Sequence, residues 1–257
     1  MVTITYDGSI NGFFTVVFEV YFRKLTDLRI YVKGYEPPVL IGDVLYIHTE
    51  EAKAKRVISK LYNIGGKPVI DLYYKCILSE QQGIENHMLA ALQYSIKSYS
   101  NVFADYGNFH VLKLREIEKK MRRERHRMTA FVRFKHGRDS LYYSIIEPDF
   151  DVIPLIIDHF EGRYADQKWL IYDAKRKYGI YYDLNQTVFM YPTPGNQSSG
   201  TVDISLFEPE EELYQQLWKT YFKSTNISER KNLKLHLQHV PRRYWKYLVE
   251  KETGIHG

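Results

Sequence analysis

Cysteine is nearly absent from this sequence, with Cys76 the one example among 257 residues. A lone thiol excludes an internal disulfide framework and any metal site built from several cysteines. Cys76 stands in the apolar segment 73–78, so we expect a buried and unreactive side chain.

Long apolar runs are missing as well. No segment reaches the roughly 20 apolar residues that a membrane span requires. The first residues lack the charged region and the apolar core of a signal peptide. The sequence therefore predicts a cytoplasmic protein with no membrane partner.

The glycine motifs of nucleotide-binding proteins do not occur. There is neither a G-x-x-x-x-G-K-[ST] loop nor a G-x-G-x-x-G turn, and the Gly-Gly-Lys at 65–67 is too short to cradle phosphates. The hydrolase motif G-x-S-x-G and the zinc motif H-E-x-x-H are also missing. We expect neither a cofactor nor a metal ion.

Tyrosine and basic residues are abundant instead. The chain has 23 Tyr, 13 Phe and 3 Trp, and its formal net charge is +5. The basic residues cluster at 113–138, where eleven Lys and Arg meet three Glu, and at 230–246, where six meet no acid. Clustered positive charge favours an anionic partner, and tyrosine suits half-buried faces and base stacking.

Apolar periodicity predicts a mostly helical part at about 1–128. Segments 2–6 and 44–48 are predicted strands that could pair, and a helix follows a cap at Ser9. Further helices are predicted at about 50–62, 68–78, 82–97 and 105–128. The last helix combines an apolar stripe with a basic one, and a solvated surface explains the basic stripe as well as a binding face does.

A sheet is predicted in the middle of the chain, at about 129–200. Its strands are expected at 129–134, 140–146, 168–172, 178–182 and 187–190, with a turn at 137–139 and a helix at 152–163 capped by Asp151. A loop at 192–200 and basic helices at about 208–250 follow. We thus predict an α+β fold, a single intertwined domain with a mostly antiparallel central sheet, about residues 129–190, surrounded by helices.

Basic residues interleaved with aromatics are typical of nucleic-acid binding, because cations contact phosphates and aromatic rings stack on bases. Packing of the aromatic rings on the protein body is the alternative, and both hold if Arg faces outward while Trp faces inward. The candidate nucleic-acid-binding residues are Arg122, Arg123, Arg125, His126, Arg127, Arg133, Arg242, Arg243, Tyr244 and Trp245.

Candidate acid/base residues follow the basic helix. Glu147, Asp149, Asp158 and His159 are the residues that could form a catalytic site. Their spacing matches no metal-ligand pattern, and the segment 148–151 also has the pattern of a turn followed by a helix cap. We favour the structural interpretation and expect no independent enzymatic activity.

Several motifs in one order resemble a known family. They are Y-D-G-S-x-x-G-F at 6–13, H-R-M-x-x-F-V-R-F at 126–134 and E-P-D-x-D-V-x-P-L at 147–155. They continue with D-H-F-x-x-R-Y-x-D-Q-x-W-L-I-Y-D and R-x-Y-G-x-Y-Y-D within 158–183, and with N-I-x-E-R-x-N and Q-H-V-P-R-R-Y-W within 226–245. The sequence resembles the bacterial "probable DNA metabolism protein" family, which is linked to a radical-SAM DNA repair or modification protein. A related domain is fused behind uracil-DNA glycosylase-like domains.

The resemblance implies a DNA-related role and a radical-SAM partner, and it implies no catalytic residue in this chain. Our leading hypothesis is an accessory protein of DNA repair or modification that binds DNA or another nucleic acid. The alternatives are a DNA-processing enzyme that uses the Asp/His/Glu cluster, and an interaction module that binds the radical-SAM protein through its basic faces. A single cysteine cannot ligate an iron–sulfur cluster, so any such cluster would belong to that partner.

Overall fold

The computed structural model describes residues 1–35, 44–98, 100–136, 141–191 and 240–248. The chain divides into two compact units, Met1–Arg123 and Glu124–Gly257. In the described ranges, no helix is both long and apolar enough to cross a membrane.

The first unit contains a sheet of three parallel strands. Strand β1 (Val2–Tyr6) lies in the middle, between β2 (Leu28–Val32) and β3 (Val44–Tyr46). Four of its five residues are buried, as expected for a central parallel strand that is covered on both faces. The predicted pairing of the first strand with the strand near residue 46 is confirmed.

The described part of the first unit includes residues of four helices. Helix α1 (Ile10–Phe22) begins at the predicted cap, where the Ser9 Oγ accepts a hydrogen bond from the Gly12 amide at 2.9 Å. Helices α2 (Glu51–Leu78) and α3 (Ile84–Ser98) follow, and α4 (Phe109–Phe131) runs across the boundary between the units. Within α2, Gly66 has φ of +67°, which interrupts the helix at the predicted Gly-Gly break.

Buried aromatic rings form much of the core of the first unit. Phe13 and Phe14 of α1 lie with their ring centres 6.2 and 5.9 Å from that of Tyr73, which in turn meets Phe103 at 5.7 Å. Cys76 is buried beside them, as predicted, and burial raises the pKa of its thiol. Such a thiol stays protonated and is a poor nucleophile.

The second unit is built on a mixed sheet of five strands in the order β4-β5-β6-β7-β8. Its elements, in chain order, are β4 (Lys135–His136), β5 (Leu141–Ile146), α5 (Ile153–Arg163), β6 (Lys168–Asp173), β7 (Tyr178–Tyr182), β8 (Thr187–Met190) and a 3₁₀ helix (Arg242–Tyr247). Strands β5 and β6 are parallel, because α5 connects them as a crossover, and the other three pairs are antiparallel. The inner face buries Trp169, Ile171 and Ile180 completely.

The predicted fold class needs correction. The fold is α+β, but the prediction of a mostly antiparallel central sheet is wrong, because the described residues form two sheets, one entirely parallel and one mixed. Strand β2 was not predicted. Its partner β1 lies 26 positions earlier in parallel register, and no local pattern reveals such a pairing.

Two local predictions are also wrong. Segment 129–134 is not a strand, because α4 continues to Phe131 and the pairing of β4 with β5 begins at Lys135. Asp151 is not the cap of α5: Val152 occupies that position, and the Asp151 carboxylate accepts a hydrogen bond from the Tyr178 hydroxyl. The predicted turn at 137–139, the loop at 192–200 and the helices at 208–239 lie outside the described residues.

Candidate nucleic-acid interface

Helix α4 presents an exposed basic face. Lys119, Arg122, Arg123 and His126 fall on one side of the helix, and Arg125 is exposed next to them. None of these five side chains forms an ion pair with another described residue. Their charge therefore faces solvent without a counter-ion from the described chain.

The acidic residues of α4 either pair with other cations or are buried, which explains why this face stays positive. Glu116 pairs with Lys113 at 3.0 Å. Glu118 lies 3.0 Å from Lys75 and 2.8 Å from Arg115, and these cations hold the pKa of its carboxyl below the usual value although burial opposes them. Only Glu124 remains in the last two turns, and it is buried.

Two of the predicted binding residues, Arg127 and Arg133, contact groups near the end of α4. The half-buried Arg127 has its Nη1 atom 3.7 Å from the Glu124 carboxylate. Arg133 donates from Nη1 to the carbonyl oxygens of Ala130, at 2.7 Å, and Val132, at 3.2 Å. A cation at these carbonyls stabilises the C-terminal end of the helix dipole.

Glu124 is the centre of a buried polar cluster in the second unit. Its side chain is only 1% exposed. Its carboxylate accepts hydrogen bonds from the Tyr244 hydroxyl, at 2.6 and 2.7 Å to the two oxygens, and from the Asp149 backbone amide at 2.9 Å. Arg243 adds a fourth contact at 3.3 Å. A buried carboxylate requires such donors, since charge without partners costs several kcal/mol in the interior.

Arg243 and Tyr244 thus hold the 3₁₀ helix against other residues of the second unit. Besides Glu124, Arg243 contacts the Asp149 carboxylate at 2.7 Å and donates to the Tyr244 hydroxyl oxygen at 2.6 Å. Burial raises the pKa of Tyr244, and the Glu124 carboxylate raises it further, so the hydroxyl remains a proton donor. Their contacts are internal, whereas the predicted role was contact with nucleic acid.

Glu147 and Asp149 bind the same 3₁₀ helix. Glu147 accepts a hydrogen bond from the Tyr247 hydroxyl at 2.6 Å and pairs with Lys246 at 3.2 Å. These partners hold the pKa of its carboxyl below the usual value, the Tyr247 hydroxyl having the largest effect. Two of the four candidate catalytic carboxyl and imidazole groups are therefore engaged by the segment 240–248.

The other two candidates, Asp158 and His159, are exposed on α5. The His159 ring meets the ring of Phe160 edge to face at 5.0 Å, and Asp158 is a neighbour in sequence with no hydrogen bond among the described residues. The part of the chain that the structure describes contains no group of three or more His, Cys, Asp or Glu that could hold a metal ion.

Arg242 and Trp245 combine a cation with an aromatic ring. Arg242 is exposed, and its guanidinium carbon lies 5.9 Å from the centre of the Trp245 ring. The half-buried Trp245 donates from Nε1 to the Val240 carbonyl at 3.0 Å. The pair leaves a cation at the surface beside a partly exposed ring, as base or phosphate contact would require.

A second buried ion pair supports the turn that carries Asp149. Asp173 is fully buried and pairs with Arg176 at 2.8 Å. Arg176 also donates to the backbone carbonyls of Pro148 and Asp149, both at 3.1 Å, and Lys175 donates to the latter at 2.9 Å. This network fixes the backbone on which the Glu124 and Arg243 contacts depend.

Glu124 was missed by the sequence reasoning, although a signal was present. It stands three residues after Met121 and four before Met128, and both methionines are buried. That position on the apolar stripe predicts a buried carboxylate, which in turn requires a donor from another segment.

The α+β fold and this arrangement of a basic helix with buried carboxylates can be compared with known families. Residues 82–250 match DUF4130, a domain of unknown function, and because the match covers more than half of the chain, the protein belongs to this family. The matched range includes the basic face, α5 and the 3₁₀ helix. No curated protein and no solved structure gives a significant match.

Proposed function

We propose that the protein binds nucleic acid as an accessory factor of DNA repair or modification, and that it works in the cytoplasm with a radical-SAM protein. The exposed basic face of α4 is the observation that carries this proposal. Four cations and one imidazole lie within about two turns of α4, and none of them pairs with a described carboxylate. Such a surface is suited to contact a phosphate backbone. The resemblance to the DNA metabolism family supports the pathway and the partner by association only.

The proposed contact residues are fewer than the sequence alone suggested. Lys119, Arg122, Arg123, Arg125 and His126 would contact phosphates, and Arg242 with Trp245 forms a second candidate contact. Arg127, Arg133, Arg243 and Tyr244 would act indirectly, by holding α4 and the 3₁₀ helix in place.

An enzymatic role for the Asp/His/Glu set has less support. The Glu147 carboxylate pairs with Lys246 and accepts a hydrogen bond from the Tyr247 hydroxyl, and the Asp149 carboxylate pairs with Arg243. A general base must be free to reach a proton on its substrate. An accessory role is therefore the better hypothesis.

The test is a titration of labelled single- and double-stranded DNA by fluorescence anisotropy at several salt concentrations. The variant Arg122→Ala/Arg123→Ala/Arg125→Ala should bind more weakly, and on duplex DNA its log K against log salt slope should flatten by about 2 to 3. Alanine favours the helix, so the fold should persist.

A matched control removes the same charge from another surface. Arg29, Lys67 and Lys97 are also exposed, and the triple alanine variant at these positions should keep the parent slope. Equal losses in both variants would show that net charge alone matters, and an unchanged slope in the α4 variant would refute this interface.

A further inference from the structure

An open apolar cavity lies in the first unit, between helices α1, α2 and α3. Its volume is about 210 Å³. Each helix contributes side chains one turn apart, and the lining includes Val17, Tyr21, Leu61, Ile64, Leu92 and Ile96. The spacing follows from the helical repeat, since residues at i and i+3 or i+4 share a face.

The described residues that line the cavity include two cations and no carboxylate. Arg56 and Lys60 are one turn apart on α2, both are exposed, and neither pairs with a described carboxylate. The neighbouring Lys53 is different, because Glu19 at 2.8 Å and Glu50 at 2.5 Å neutralise it. The cavity thus combines an apolar interior with an uncompensated positive mouth.

Arg56 is also held in a defined position. Its guanidinium carbon lies 5.1 Å from the centre of the Phe18 ring, and Phe18 lines the cavity. A guanidinium stacked on a ring keeps its N–H edge available for a carboxylate. Arg56 therefore lies beside the apolar lining, with N–H groups that can pair with the head group of a ligand.

The volume of the cavity limits the size of the ligand that it can bind. An apolar cavity of about 150 Å³ stays dry and admits benzene. A cavity of about 210 Å³ accommodates a somewhat larger body, a ring or chain of about six to eight carbons.

We propose that this cavity binds a small amphiphilic carboxylate whose apolar body of about six to eight carbons fills the space between α1, α2 and α3. Arg56 and Lys60 pair with its carboxylate at the mouth. The apolar lining provides affinity by burial, and the two cations select the sign of the head group. This site lies within the first unit and is independent of the nucleic-acid proposal.

Isothermal titration of the full chain with octanoate tests the site. Saturable binding is expected, and octylammonium, which has the opposite charge and an alkyl chain one methylene longer, should bind at least about tenfold more weakly. The variant Arg56→Gln/Lys60→Gln should lose about fivefold in affinity for octanoate, as expected for two exposed ion pairs, and should bind octanol like the parent.

A second variant tests whether the ligand binds in the apolar cavity. Ile96→Trp fills the cavity from a half-buried position, and with an unchanged circular dichroism spectrum it should abolish octanoate binding. The proposal fails if octanoate gives no saturable signal, if octylammonium binds equally well, or if a folded Ile96→Trp chain still binds. The proposal also fails if the chain self-associates, octanoate does not affect the self-association and Ile96→Trp abolishes it. A second copy of the chain would then occupy the cavity.

Discussion

Two tyrosines in the 3₁₀ helix offer a matched test of how burial governs a hydrogen bond. The Tyr244 and Tyr247 hydroxyls each donate to a carboxylate at 2.6 Å. Glu124, the acceptor for Tyr244, is 1% exposed, whereas Glu147, the acceptor for Tyr247, is 42% exposed. Replacing either tyrosine by phenylalanine removes the same hydroxyl from the same helix.

Tyr244→Phe should destabilise the second unit by about 1.5–3 kcal/mol, the range for a hydrogen bond to a charged group. The ring contact with Phe131, 5.4 Å between centres, is retained, so the loss reports the hydroxyl. Tyr247→Phe should cost less than about 1 kcal/mol, because water can replace the donor at an exposed carboxylate. At a urea m-value of about 2 kcal/mol/M, the first loss lowers the midpoint by about 0.75–1.5 M.

Tryptophan fluorescence in urea measures the difference, because all three tryptophans follow residue 123 in the sequence and the described ones, Trp169 and Trp245, belong to the second unit. A fluorescence midpoint that falls for Tyr244→Phe and hardly moves for Tyr247→Phe would agree with the structure. If Tyr247→Phe costs as much as Tyr244→Phe, burial of Glu124 is not what gives its bonds their value, and the reasoning is refuted.

Two further predictions concern other charged groups. Asp173→Ala removes a fully buried carboxylate from its pair with Arg176 and should lower the free energy of unfolding in urea by about 3–5 kcal/mol. The control is Asp158→Ala at an exposed position, which should change the free energy of unfolding by no more than about 0.5 kcal/mol. Equal costs for the two variants would contradict the role of the buried pair. Burial, with the nearby charges of His110 and Lys113, lowers the pKa of His87, whose Nδ1 lies 3.0 Å from that of His110. The unfolded chain therefore binds the proton first as the pH falls below about 6.5, and stability should decline in that direction more steeply for the parent than for His87→Gln. Identical pH slopes for the two proteins would show that His87 is not linked to folding.

The sequence predicted the elements better than their pairing. Strand β1, helix α1 and the strands β5 to β8 carry strong local patterns, and their positions agree with the structure to within a residue or two. The parallel pairings of β1 with β2 and of β5 with β6 depend on contacts between segments that are far apart in sequence. Alternation along one strand contains no information about the direction of its neighbour.

The end of α4 illustrates a competition between local patterns. Segment 129–134 alternates like a strand, yet the helix continues to Phe131. The Thr129 hydroxyl donates to the His126 carbonyl at 2.8 Å, and Arg133 binds the last carbonyls of the helix. These side-chain bonds satisfy the helix end and outweigh the strand preference of Thr and Val.

For the candidate site, the sequence predicted where basic residues cluster but not which of them form internal ion pairs. Arg122 and Arg243 are indistinguishable as basic residues in a cluster. Arg122 is exposed and has no ion pair with a described residue, whereas Arg243 pairs with Glu124 and Asp149. The difference depends on which residues lie opposite each side chain after folding. An apolar-stripe acid such as Glu124 is the sequence feature that could have revealed the second role.

The bond between Glu124 and Tyr244 joins positions 120 residues apart. At about 5–20 residues per second, the ribosome needs roughly 6 to 24 s to reach the tyrosine after it has made the glutamate. During that interval the Glu124 carboxylate lacks the Arg243 and Tyr244 donors that it has in the folded second unit. Nonsense or frameshift changes upstream of Tyr244 should therefore yield chains that chaperones and proteases recognise as incomplete, even when all strands β4 to β8 have been synthesised.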